Sequence, residues 1–275
     1  MRWPDLDDID QRDPELVEGF AKRLGPLLER YFEPVLQGLD RIPEGAALYV
    51  GNHNACMLTP DTFVFAIALY RERGLEHLPY ALAHEVALGF PGLRQLLTGL
   101  GGVRASHQNA ARLFAKGRKV LVYPGGDIDA MRPYRDRNRI IFGPRRGYLR
   151  LALRHGVPVL PLVSAGAHET LLILSDNRWL ARLIRSDKWL RCKTWPLSLS
   201  VPWGLTLGPV PPHLPLPTRI YTEVLEPMHF ARSGDAAASD DAYVEACHQR
   251  LMRTMQSALD RLAAQRLAEG GKRLL

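Results

Sequence analysis

The stretch Ala46-Ala47-Leu48-Tyr49-Val50-Gly51-Asn52-His53 decides how the rest of the chain is read. Its apolar part ends at Val50 and is closed by Gly51. A run that short, with no polar alternation, predicts a strand buried on both faces. Two later runs have the same form. Lys119 to Tyr123 stops at Pro124-Gly125-Gly126-Asp127, and Val157 to Val163 stops at Ser164-Ala165-Gly166. Tyr80 to Ala83 and Arg219 to Leu225 add two further strands. Helical segments lie between them: Pro60 to Tyr70, opened by Thr59 as N-cap; Pro91 to Leu100; Gln108 to Lys116; and Arg146 to His155, closed by Gly156. Strands alternating with helices predict an α/β fold with a mixed, largely parallel central sheet and helices on both faces.

Both ends of the chain read as helix. Leu16, Phe20, Leu24, Leu27, Leu28, Tyr31 and Phe32 recur at spacings of three and four, which predicts helix from about Pro14 to Gly38. Gly25-Pro26 predicts a break into two helices. Val244, Cys247, Leu251, Met255, Leu259 and Leu262 form the stripe of a C-terminal helix over Ser239 to Leu267. No internal repeat or low-complexity linker divides the 275 residues. They read as a single domain, 1–275, with N-terminal helices over 1–40, a core over 41–225 and a C-terminal helix over 239–267.

Composition bounds the partners. Hydrophobic residues make up 46% and charged residues 24%, which is ordinary for a globular chain and excludes disorder throughout. The net charge of +7 suits an anionic partner: nucleic acid, an anionic membrane or a phosphate-bearing ligand. Cys56, Cys192 and Cys247 are odd in number and widely spaced, so neither a disulfide framework nor a thiolate metal site is expected, and a reducing cytoplasm fits. Met1 to Asp13 is acidic and lacks the apolar core of a signal peptide. No run reaches the ~18 apolar residues of a spanning helix. The expectation is a cytoplasmic protein, peripheral on the inner membrane.

His53 follows directly on the first strand, and ligands of open α/β sheets bind beyond such carboxyl ends. Asp61 stands eight positions on, in the first turn of the next helix. A loop that folds back would let Asp61 accept from the imidazole, fixing its tautomer and leaving the other nitrogen to take a proton from a hydroxyl. Hydroxyls are weak nucleophiles and need such a base. The same residues also fit a loop histidine beside a helix-capping aspartate. No G-x-S-x-G, P-loop or H-E-x-x-H is present to support hydrolase, nucleotide or zinc-protease chemistry.

Four segments taken together resemble the four blocks of the glycerolipid acyltransferase superfamily, which includes the glycerol-phosphate and lysophosphatidic-acid acyltransferases. They are Tyr49-Val50-Gly51-Asn52-His53 with Asp61; Gly101-Gly102-Val103-Arg104-Ala105-Ser106; Val122-Tyr123-Pro124-Gly125-Gly126-Asp127; and Arg146-Gly147-Tyr148 followed by Gly156-Val157-Pro158-Val159-Leu160-Pro161. The resemblance spans about residues 40 to 225. It implies that family's αβ fold, with His53 as catalytic base and Asp61 as its partner. It also implies transfer of an acyl group from acyl-CoA or acyl carrier protein to a lipid hydroxyl, with no cofactor and no metal. Backbone N–H groups at Gly125 and Gly126 are the expected oxyanion donors, and Asn52, Pro124 and Asp127 the expected surroundings of the substrate.

Two departures refine this. Seven residues separate His53 from Asp61 where the family has four, which predicts a bulged loop. Where phosphate-acceptor enzymes carry Glu-Gly-Thr-Arg, this chain has Pro124-Gly125-Gly126-Asp127. That resembles the monoacylglycerol/diacylglycerol acyltransferase branch. The acceptor is then a neutral lipid alcohol, or a lysophospholipid whose phosphate is held by Arg132, Arg145 or Arg146.

Other patterns leave alternatives open. Asp127-Ile128-Asp129 has the form of a glycosyltransferase D-x-D, which would grip a nucleotide-sugar diphosphate through a cation. The stretch from 178 to 203 holds Trp179, Trp189, Trp195 and Trp203 among basic residues. It reads as a segment for the lipid head-group layer, as a covering loop, or as a base-stacking surface for nucleic acid. The membrane reading is preferred, with the N-terminal helices as the other possible contact, and no nucleic acid is expected as a partner.

Overall fold

The computed structural model describes residues 5–55, 58–83, 92–210 and 212–270. Helix α1 (Pro14–Phe32) starts at Asp13, whose carboxylate accepts from the N–H groups of Glu15 and Leu16. It is one helix and not two, because Pro26 lies inside it. Arg71 packs against Gly25 and donates to the Ala21 carbonyl, so a tertiary contact holds the turn that leads into the proline. Glu33, in the left-handed region, and Pro34 end the helix. Val35–Gln37 then forms strand β1, where helix was expected.

The chain continues through β2 (Ala47–Gly51), α2 (Pro60–Arg73), β3 (Tyr80–Ala83) and α3 (Leu93–Gly99). The expected start of α3 at Pro91 lies outside the described residues. Next come β4 (Gly102–Arg104), α4 (His107–Ala115), β5 (Lys119–Val122), α5 (Gly126–Ala130), α6 (Gly147–His155) and β6 (Val159–Ala165). Thr59 precedes α2 but makes no capping hydrogen bond through its side chain.

The seven-stranded sheet has the order β1-β10-β6-β2-β5-β3-β4, with β10 at Tyr221–Val224. Strands β6, β2, β5, β3 and β4 are parallel, while β10 runs antiparallel to β6 and carries β1 parallel to itself. The mixed, largely parallel sheet is therefore as the sequence predicts. All five residues of β2 are buried, which explains its unbroken apolar reading.

Alternate residues of the strands feed two cores. On one face, Tyr49 and Leu121 pack with Phe65 and Leu69 of α2 and Val17 of α1. On the other, Leu48, Val50 and Val120 pack with Leu113 of α4, Leu149 of α6 and Met255, Leu259 and Leu262 of the last helix. That helix (Asp241–Ala268) is preceded by a short one at Asp235–Ser239.

A second sheet departs from the sequence reading. Strands β7 (Leu172–Ser175), β8 (Leu197–Ser200) and β9 (Gly204–Leu207) form an antiparallel meander. Two short helices, α7 (Arg178–Leu183) and α8 (Ser186–Trp189), lie between β7 and β8. Parallel neighbours β2 and β5 present their carboxyl ends side by side, and that is where the cavity of the molecule opens.

Candidate active site

His53 stands just beyond β2, and Tyr123 just beyond β5. Their rings meet at a centroid distance of 4.8 Å. The contact depends on Gly51, since a Cβ there would lie 2.5 Å from the Tyr123 ring. The Tyr123 hydroxyl is in turn hydrogen-bonded to Thr62 of α2 at 2.5 Å.

The backbone of His53 is held at both its N–H and its carbonyl. Its N–H donates to the Asp129 carboxylate at 2.6 Å, and its carbonyl accepts from Arg132 at 2.6 Å. Arg132 is completely buried and also donates to Asp129, to Asn54 Oδ1 at 2.7 Å and to the carbonyls of Asp136 and Arg137. Burial raises the Asp129 pKa above the ordinary carboxylate value, against the lowering effect of Arg132. His168 lies beneath, with Nδ1 accepting from the Ala55 N–H and Nε2 against the Arg132 carbonyl.

Burial pushes the His53 pKa down to about 4, so the imidazole is neutral at physiological pH. It forms part of the wall of a cavity of about 810 Å³. Val17, Phe20, Ile67, Leu97 and Leu100 are among its apolar lining, and Asp127 and Arg145 are among its few charged residues. The cavity is therefore suited to a ligand with a long apolar part and a small polar one.

Of the expected site residues, His53, Pro124, Gly126, Asp127 and Arg145 line this cavity. The others serve beneath or beside it. Asn52 exchanges two hydrogen bonds with the Ser164 backbone and ties β2 to β6. Gly125 lets the loop pack on Asp129, where a Cβ would collide. Arg132 has its guanidinium fully engaged and buried, so it does not serve as the expected phosphate grip. Arg146 pairs with Glu245 of the last helix. Arg145 reaches the cavity but donates to the Pro124 and Gly125 carbonyls and to Asp127. The Gly126 N–H donates to the Tyr123 carbonyl, which removes it as an oxyanion donor.

Asp61 does not bond His53 in this structure. Its Oδ2 instead accepts from Asn54 Nδ2 at 2.8 Å. Asp61 Oδ1 and His53 Nδ1 are both buried and both without a hydrogen bond among the described residues. Burial raises the Asp61 pKa to about 6. Asp127 and Asp129 also part company: the first is on the cavity wall, bonded to Arg145 and the Lys193 N–H, and the second is locked on Arg132. That separation removes the paired carboxylates a D-x-D site requires.

The model of the family described as "Acyltransferase" matches residues 33–165. The solved structure of the 1-acyl-sn-glycerophosphate (LPA) acyltransferase of Thermotoga maritima has the same fold. Its TM-score is 0.56 at 19% identity, over 91% of this chain and 79% of that one. The chain is thus similar to acyltransferases in sequence over residues 33–165, and to one of them in fold. An uncharacterized protein of Mycobacterium tuberculosis is 28% identical over 88% of this chain and 66% of its own length. The mouse protein named "DGAT1/2-independent enzyme synthesizing storage lipids" is 26% identical over 54% of this chain and 45% of its own length. Phytyl ester synthase 2 of Arabidopsis thaliana is 29% identical over 52% of this chain and 21% of its own length. The chain thus spans less than two thirds of the length of those curated relatives.

Tyr123, Thr62 and Asn54 were not singled out as site residues in the sequence. Gly51 is the signal that could have found Tyr123, since the two stand at the ends of paired strands and a Cβ at Gly51 would collide with the ring. Arg132→Ala leaves Asp129 buried without its cation. It should cost about 3–5 kcal/mol in chemical denaturation, with Arg132→Lys failing to restore the forked contacts. Asp61→Asn should do the opposite. With a folded-state pKa raised to about 6, the ionised carboxylate costs stability above that pH, and the cost fades as pH falls from 6 towards the unfolded value. The variant should therefore gain up to about 2 kcal/mol at pH 8 and progressively less below pH 6.

Proposed function

We propose that the protein is an O-acyltransferase that moves a fatty acyl group from acyl-CoA or acyl carrier protein to the hydroxyl of a glycerolipid at a membrane surface. The observation that carries this reading is a neutral imidazole, His53, set in the wall of a long and largely apolar cavity. A neutral acceptor such as mono- or diacylglycerol is favoured over a lysophospholipid. Arg132 and Arg146 are spent on protein partners, and Arg145 is neutralised by Asp127 and two carbonyls. The relative named for phytyl esters supports an uncharged alcohol in the same way.

In this reaction the acceptor oxygen attacks the thioester carbonyl carbon while His53 takes the hydroxyl proton. The carbonyl electrons move onto oxygen. When the tetrahedral species collapses, the carbon–sulfur bond breaks and the leaving sulfur recovers the proton from the imidazolium. The products are an ester and a free thiol. The unpartnered His53 Nδ1 and Asp61 Oδ1 are the two atoms a histidine–carboxylate pair would join. Substrate binding closes that pair, and the carboxylate then stabilises the imidazolium.

Incubation of pure protein with labelled oleoyl-CoA and a panel of acceptors tests the reading. Mono- or diacylglycerol should be acylated in preference to lysophosphatidic acid, and His53→Ala should lose about 10²–10⁴-fold in turnover while keeping its melting temperature. Absence of any acylated product, or an undiminished His53→Ala enzyme, would sink it. The pH profile separates the two groups. In kcat/KM the acid limb should fall near pH 6, where Asp61 takes up a proton, and should move towards pH 4 in Asp61→Asn, where only His53 titrates. A limb that stays near pH 6 in the variant removes Asp61 from the mechanism.

A further inference from the structure

Strands β8 and β9 carry their amphipathic pattern inside out, and β7, which buries Ile173, still turns Leu174 to solvent. In each strand the residues that face solvent are apolar. Leu174, Leu199, Leu205 and Leu207 are exposed, Leu205 by 64% and Leu207 by 57%. The residues that face inward on β8 are Ser198 and Ser200, both buried, and Ser198 Oγ bonds Thr206 Oγ1 of β9 at 2.9 Å. A sheet in water turns its apolar face to the core. This one spends serine and threonine on the inside and leaves a row of leucines outside.

The surrounding residues extend the patch. The β8–β9 turn, Val201-Pro202-Trp203-Gly204, exposes Val201 and Trp203. Helices α7 and α8 expose Trp179 (66%), Leu183 (71%) and Trp189 (61%). Scattered exposed leucines need no explanation, but Leu199 pairs with Leu172 and Leu205 across the sheet, and apolar side chains that adjoin in this way mark a binding surface. Helix α1, by comparison, exposes Leu24 and Leu27.

Charge identifies the occupant. Between residues 172 and 217 stand six basic side chains, Arg178, Arg182, Arg185, Lys188, Arg191 and Lys193, against Asp176 and Asp187. The excess of four positive charges sits on α7, α8 and their flanking links, the segments that also expose Trp179, Leu183 and Trp189. Apolar side chains ringed by indoles and cations match a bilayer with anionic head groups, where acyl chains, the interfacial layer and phosphates are met at successive depths. The patch is also continuous with the cavity: Leu190, Arg191, Cys192 and Trp195, from the link between α8 and β8, line its wall.

We propose that the β7–β9 sheet with α7 and α8 is a docking face for an anionic lipid bilayer, seated so that lipid passes from the membrane directly into the His53 cavity. The inference rests on the acyltransferase reading only for what passes through; the docking itself is read separately.

Flotation of the full chain with vesicles tests it. Binding should be strong to phosphatidylcholine vesicles containing phosphatidylglycerol, weaker to phosphatidylcholine alone, and sensitive to salt. The variant Leu199→Ser/Leu205→Ser/Leu207→Ser should keep its circular dichroism and melting temperature and lose at least about tenfold in vesicle binding. Its turnover of a short-chain acyl thioester with a dispersed short-chain alcohol should be unchanged. Arg182→Gln/Arg185→Gln/Lys188→Gln should lose the preference for anionic vesicles. His53→Ala should bind vesicles like the wild type, so a failed acylation assay with intact, leucine-dependent flotation overturns the reaction and not the surface. Undiminished flotation of the triple serine variant overturns the proposal. So does a lipid-free wild-type dimer that the serine substitutions dissociate, because the occupant is then a second copy of the chain.

Discussion

A buried guanidinium holds the candidate site together. Arg132 has no contact with solvent and spends its donors on the carbonyls of His53, Asp129, Asp136 and Arg137, on Asn54 and on the Asp129 carboxylate. Asp129 in turn receives the His53 N–H and the Ile141 N–H. The loop after β2 is therefore gripped at both backbone polar groups of His53, in two successive peptide units. Taking two charges out of water is expensive, and only this density of hydrogen bonds offsets the cost. What results is a fixed backbone beneath a side chain that stays neutral in the cavity wall.

The fold makes this grip possible. Parallel strands β2 and β5 bring their carboxyl ends together, so that the His53 loop and the Tyr123-Pro124-Gly125-Gly126 loop touch. Short α5, directly after the glycines, then points Asp129 and Arg132 back under β2. Glycine is needed at two of these approaches. Gly51 admits the Tyr123 ring, and Gly125 admits Asp129. A block of sequence that looks like a substrate loop is in large part a packing device, and the polar groups left for a ligand are few. That scarcity leaves the cavity lining largely apolar.

Burial also explains why two ionisable groups of the same loop move apart in acidity. Desolvation disfavours charge on either, lowering the imidazole and raising the carboxylate. His53 becomes a weaker base than a free histidine but is always ready to accept a proton. Asp61 holds a proton at mildly acidic pH and bonds Asn54 instead of the ring. The same logic governs the surface. The β7–β9 sheet departs from the rule that leucine goes inside, and departures of that kind are expected where function overrides solubility.

The sequence by itself determined the α/β class, the buried strands at Ala47–Gly51, Lys119–Val122 and Val159–Ala165, and the place of His53 beyond the first of them. Local patterns suffice there, because a strand buried on both faces must be apolar throughout. Continuity of α1 through Pro26, the three-residue β1 and the antiparallel return of β10 were not legible, since each depends on contacts from distant segments. The period of two along β8 and β9 is visible in Leu197-Ser198-Leu199-Ser200, but periodicity does not say which face meets solvent. Only tertiary structure decided that, and only it turned Arg132 from a hand for phosphate into a strut. A charge's role is set by what surrounds it, and those neighbours come from parts of the chain some 80 residues apart.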